Sequence, residues 1–83
     1  MRKPEFEKSL KEFIAKLANE KVIDENILLF ESGIIDSMKI LDVIAFVEKK
    51  LDISIPDSEV ILDNFKTIRS IGNRFYKDQN GKV

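Results

Sequence analysis

The groups best suited to chemistry in this chain stand together at Asp36-Ser37-Met38, inside the stretch GIIDSMK (residues 33–39). A hydroxyl next to a carboxylate supports two readings. Asp and Ser both favour helix starts, because their short side chains accept hydrogen bonds from otherwise unpaired backbone N–H groups. On spacing alone capping accounts for the pair, with Asp36 as good a cap as Ser37. The other reading makes Ser37 an exposed point of covalent modification. A serine hydrolase is the weakest reading, since the chain has no histidine to activate Ser37 and no Gly-x-Ser-x-Gly setting. With no cysteine either, the usual thiol nucleophile and most zinc sites are excluded.

The elements that must position Ser37 are helical. Phe6, Leu10, Phe13, Ile14 and Leu17 recur at helical spacing, with Pro4 tolerated in the first turn and Glu5 and Glu7 suited to the positive dipole end. These features predict a first helix over 4–18. A long connection over 19–36 follows, without a clean period but carrying Val22, Ile23, Ile27, Leu28, Leu29 and Phe30. Connections of about that length are unusual in small domains. It is expected to lie across the bundle, pinned by Leu29 and Phe30, with a turn of helix near Glu25 and a left-handed Gly33.

The second helix is predicted over 37–51. Ile40, Val43, Ile44, Val47 and Leu51 share its core side, and Ser37, Met38, Leu41, Asp42, Ala45, Glu48 and Lys49 share the other. Three of those seven are apolar, more than a solvent face needs. Pro56 makes Ile55 extended, and Asp57 or Ser58 can cap a short helix over 57–62. After a break at 64–66, Thr67 caps a last helix through Ile68, Ile71, Phe75 and Tyr76, weakened by Gly72. Residues 78–83 read as a frayed tail. The expected fold is all-α: a small four-helix bundle, three helices long and one short, with a long first connection.

Eighty-three residues make one domain, residues 1–83, with about 4–77 ordered. A 43% hydrophobic and 35% charged composition suits amphipathic helices. The missing cysteines fit a reducing compartment, no apolar run is long enough to span a membrane, and the start lacks the apolar stretch of a signal peptide. A soluble, cytoplasmic monomer is expected. The net charge of −1 is unevenly spread: residues 31–63 hold eight acids against three bases, and residues 64–83 five bases against one acid. The acidic zone around Ser37 favours protein partners and argues against nucleic acid.

Three features favour a chemical role for Ser37. The connection delivers the chain to one end of the bundle, where a first-turn hydroxyl is exposed. A helix start tolerates a phosphate ester. An apolar stripe runs from Met38 through Leu41 to Ala45, as a docking protein would present it. The stretch LFESGIIDSMKILDVIAFVEKKLDISIP, followed by NFKTIRSI, resembles the acyl carrier protein family, including the peptidyl and D-alanyl carriers. The likeness runs from the first-helix pattern to Ile71. Its most specific part is Asp36-Ser37-Met38, set between Leu-Phe-x-x-Gly and Ile55-Pro56.

That resemblance implies an acyl-carrier fold and a 4′-phosphopantetheine arm on Ser37, attached from coenzyme A by a separate phosphopantetheinyl transferase. The arm's thiol then holds acyl or aminoacyl groups as thioesters for loading and transferring enzymes, and the carrier itself is no enzyme. It also implies that Asp36 helps the transferase, through its metal, and that Met38, Leu41, Asp42, Ala45 and Glu48 form the face that partners read. The chain departs from housekeeping fatty-acid carriers. Lys39, Lys49 and Lys50 interrupt the acidic face, and Ile34-Ile35 precede Asp36 where those carriers have Gly-Ala or a similar short form. Gly-Ile-Ile-Asp-Ser looks more like D-alanyl and other specialised carriers. Two other functions compete: an interaction module used without modification, and a phosphoswitch with Ser37 as a kinase target.

Overall fold

The computed structural model describes residues 2–76; the expected tail over 78–83 lies outside them. The all-helical expectation holds. Three α-helices, α1 (Lys3–Leu17), α2 (Lys39–Leu51) and α3 (Ile68–Phe75), form the frame. Alternating apolar and charged residues put Phe6, Leu10 and Ile14 of α1 wholly inside, and Glu5 accepts the Arg2 N–H at its start. Val43 and Val47 of α2 are fully buried, flanked by half-buried Ile40, Ile44 and Leu51. Ile68, Ile71 and Phe75 close the core from α3, which Thr67 caps through Oγ1 by accepting the Ser70 N–H at 2.9 Å. α1 packs against both of the other helices. Gly72 is buried where α1 and α3 meet: a Cβ there would stand 2.8 Å from Glu7 Oε2, so the residue that weakens the helix also admits the close approach.

The fourth helix differs from expectation. In place of one short helix over 57–62, there are two 3₁₀ turns, Asp57–Glu59 and Leu62–Phe65. The β-branched pair Val60-Ile61 parts them, with Ile61 extended (φ −124°, ψ 155°). Asn64 stabilises the interruption by donating its side-chain amide to the Glu59 carbonyl at 2.8 Å. The consequence is exposure: Val60, Ile61 and Leu62 remain in solvent instead of turning one helical face inward.

The long connection is a working part of the core. Ile23, Leu29, Ile34 and Ile35 are all buried, and Phe30 is half-buried beside them. Near Glu25 there is a hydrogen-bonded turn rather than a helix, with Ile27 N–H on the Asp24 carbonyl. Gly33 adopts the expected left-handed conformation (φ +83°). Two backbone bonds tie the connection to the start of α3: Leu29 N–H to Lys66 O at 2.9 Å, and Arg69 N–H to Glu25 O at 3.0 Å. Glu25 adds Oε1 to Lys11 Nζ of α1 at 3.0 Å and Oε2 to the Arg69 guanidinium at 3.2 Å.

The hydrogen bond from Lys11 is the main cause holding the Glu25 carboxyl below the usual glutamate range, helped by backbone bonding and by Arg69. A lowered folded-state pKa stabilises the fold above the ordinary glutamate value of about 4.3, and this contribution is lost as pH falls through the lowered value. Glu25→Gln should therefore be less stable than wild type at neutral pH. The gap between the two should narrow on acidification below that value, as followed by urea melts across the pH range.

Candidate functional site

The site starts from how α2 begins. Asp36 is its functional cap: Oδ1 accepts Met38 N–H at 3.0 Å and Lys39 N–H at 2.9 Å. The next two donors are also used, Ile40 N–H by the Asp36 carbonyl and Leu41 N–H by the Met38 carbonyl. Ser37 and Met38 thus sit in the turn leading into α2, whose regular span begins two residues later than 37–51 implied. The backbone bonds from Lys39 and then Met38 hold the Asp36 carboxyl below the usual aspartate range. Lys39 Nζ stands 3.7 Å from the free Oδ2, a loose exposed ion pair.

With Asp36 as the cap, the Ser37 hydroxyl is released from structural duty. Ser37 is exposed, and its side chain makes no hydrogen bond among the described residues. It lines a cleft of about 250 Å³ that is otherwise apolar, together with Phe30, Ile40, Val60, Ile61, Leu62 and Phe65. An exposed unbonded hydroxyl with open apolar space beside it accommodates a tethered group without displacing the core.

Of the other residues expected on this face, Met38 (77% exposed), Leu41 (65%), Asp42 and Ala45 all lie in solvent. Glu48 is placed differently: it is half-buried, and its Oε2 accepts the Ile55 N–H at 2.8 Å, fastening the segment after α2. The part of the cleft made by Val60, Ile61 and Leu62 was not anticipated; its signal is that apolar triplet itself. Phe13 and Phe46 stack at 4.4 Å between α1 and α2, and Phe65 and Phe75 meet at 5.3 Å, so these aromatics pack on one another. Among the described residues no cluster of acidic side chains could hold a metal ion, and no helix is long and apolar enough to cross a membrane.

Comparison with known proteins bears on this arrangement. A family model described as "Phosphopantetheine attachment site" matches residues 8–75. The D-alanyl carrier protein of Listeria monocytogenes serotype 4b is 41% identical over 49 residues, 59% of this chain and 63% of that protein. The D-alanyl carrier protein of Bacillus velezensis is 28% identical over 72 residues, 84% of this chain and 92% of its own length; that of Lactococcus lactis is 41% identical over 54 residues, 63% and 68%. The match thus spans less than two thirds of the Listeria relative. The fold is that of a carrier protein solved with the Bradyrhizobium japonicum glycine:[carrier protein] ligase in its glycylated form. The TM-score is 0.69 at 22% identity, over 86% of this chain and 95% of that one.

Proposed function

The chain belongs to the phosphopantetheine attachment-site family, and from that membership we propose that it is a non-catalytic carrier of small aminoacyl groups, with Ser37 as its attachment point. The family carries a covalent 4′-phosphopantetheine, whose terminal thiol supplies the thioester linkage. The observation that carries the assignment is the Ser37 hydroxyl: exposed, unbonded and relieved of capping by its neighbour. Ser37 Oγ gives up its proton and bonds to the phosphorus of coenzyme A next to the pantetheine, while the pyrophosphate link breaks and adenosine 3′,5′-bisphosphate leaves. Asp36 fixes the turn that presents this oxygen and offers Oδ2 to the transferase. Met38, Leu41, Asp42 and Ala45 offer partners an exposed, partly apolar face. The likeness to D-alanyl carriers supports an aminoacyl cargo over a long acyl chain.

Intact mass tests the reading. Purified protein incubated with coenzyme A and a broad-specificity phosphopantetheinyl transferase should gain a single adduct, mapped by peptide mass to Ser37. A bare phosphate after bacterial expression would favour the phosphoswitch instead. No modification under any of these conditions would favour the interaction module.

Asp36→Asn separates the two duties of Asp36. Asn caps helices about as well as Asp, so the variant should stay folded, with a modest loss of stability at neutral pH because the cap bonds favour the ionised carboxyl. Attachment should nevertheless slow at least tenfold, because the carboxylate offered to the transferase is gone. Equal transferase rates in the two proteins would reduce Asp36 to a cap.

Lys39, Lys49 and Lys50 oppose basic docking surfaces of the kind that acidic carriers serve, since like charges slow encounter and disfavour the wrong partner. Replacing all three by Glu should speed loading by a fatty-acid malonyl transferase, most visibly at low salt. A wild-type rate equal to that of a housekeeping carrier would remove the case for a specialised role.

A further inference from the structure

Resting on the assignment of Ser37, we propose that Lys39 is the positioning counter-ion of the phosphodiester at Ser37, leaving Asp36 for the phosphate once the arm is attached. A phosphate at a helix start ordinarily takes the free backbone N–H groups there. Among the described residues this start has only the Ser37 N–H left to give. Met38 and Lys39 donate to Asp36 Oδ1, Ile40 to the Asp36 carbonyl and Leu41 to the Met38 carbonyl. Attachment also sets a permanent negative charge beside the Asp36 carboxylate, one residue away, and like charges at that spacing repel.

One backbone donor cannot balance the added charge, so the remaining compensation has to come from a side chain, and Lys39 is the cation at this end of α2. Its ammonium already lies at the helix start, 3.7 Å from Asp36 Oδ2, the carboxylate of the residue before Ser37. That distance exceeds a direct hydrogen bond, and both partners are substantially exposed, so the pair is loose and free to exchange. The other cations of α2, Lys49 and Lys50, belong to its last turn, about 15 Å further along at 1.5 Å per residue. Lys66 lines an adjoining small cleft that shares Phe30 and Leu62 with the Ser37 cleft, so Lys66→Met joins Lys49→Met as a control that should leave the phosphorus resonance unchanged. A lysine delivers a mobile point charge on a flexible stem, which suits a group that must swing between two anions.

The test uses the full chain, apo and loaded, with phosphorus and side-chain nitrogen NMR. On attachment the Lys39 Nζ resonance should move, while those of Lys49 and Lys50 stay in place. In loaded Lys39→Met the phosphorus resonance should differ from wild type; Lys39→Arg should return it towards the wild-type position, and Lys49→Met should leave it unchanged. Added salt should shrink the wild-type difference, as expected for an exposed pair. If Ser37 is loaded but Lys39→Met leaves the phosphorus resonance where it was, or Lys49→Met or Lys66→Met moves it equally, the counter-ion role is overturned and the attachment site stands. If Ser37 takes no adduct at all, both fall.

Discussion

Ser37→Ala should abolish coenzyme-A-dependent labelling completely while leaving the fold as it was. The loss is total because the modified atom is removed, and the chain has no cysteine or histidine to take its place. Stability should stay within about 0.5 kcal/mol, since the lost hydroxyl is exposed and bonds to nothing described, and the cap belongs to Asp36. The other serines are poor substitutes. Ser32 donates to the Leu29 carbonyl and Ser70 bonds Thr67, while exposed Ser54 and Ser58 lack an acid-capped helix start. Residual labelling of the variant, at these or at Ser9, would place the attachment point elsewhere. A large fall in melting temperature would mean that Ser37 is structural after all.

A second large effect comes from opposing faces of α2. Val47→Arg should unfold the protein or leave it molten. Val47 is fully buried among apolar side chains, and an unpaired charge there costs several kcal/mol in a domain whose whole stability is about 5–15 kcal/mol. Ala45, two residues earlier, is exposed. Ala45→Arg should melt as wild type does, yet be loaded and used more slowly, because a bulky charge then interrupts the apolar stripe of Met38 and Leu41. Circular dichroism melts and transferase kinetics on both variants decide the matter. An unfolded Ala45→Arg, or one loaded and used at the normal rate, would rule out this side of α2 as the docking face.

Much of this arrangement was legible in the order of residues, for identifiable reasons. The period of Phe6, Leu10 and Ile14, and that of Val43 and Val47, report burial directly, because one helix buries one stripe. Thr67 and Gly33 were readable because their roles are local. The stretch from Asp57 to Phe65 was not. There capping residues favoured a helix, while the β-branched pair Val60-Ile61 and the Asn64 amide favoured two tight turns, and the second pair of causes prevailed. The Ser37 cleft was hidden for a different reason. Its lining comes from two stretches of chain, residues 30–40 and 60–65, and no local pattern announces that they meet. Nor did composition reveal that Glu48 is engaged by Ile55, or that the Asp36 side chain takes both the Met38 and the Lys39 N–H.

The clasp between the connection and α3 bears on when the site comes into being during synthesis. Glu25 and Arg69 are 44 positions apart, so the bonds that hold the connection in place close one of the largest loops in the chain, and contacts of that span form slowly. Ser37 leaves the ribosome well before Lys66 and Arg69 do. A nascent chain halted before α3 presents the serine without the Glu25–Arg69 bonds that fasten the connection. Such a chain should be a poor transferase substrate although it contains the whole Asp36-Ser37-Met38 motif; a slow transferase rate on a chain truncated before α3 would mark completion of α3 as a checkpoint on modification.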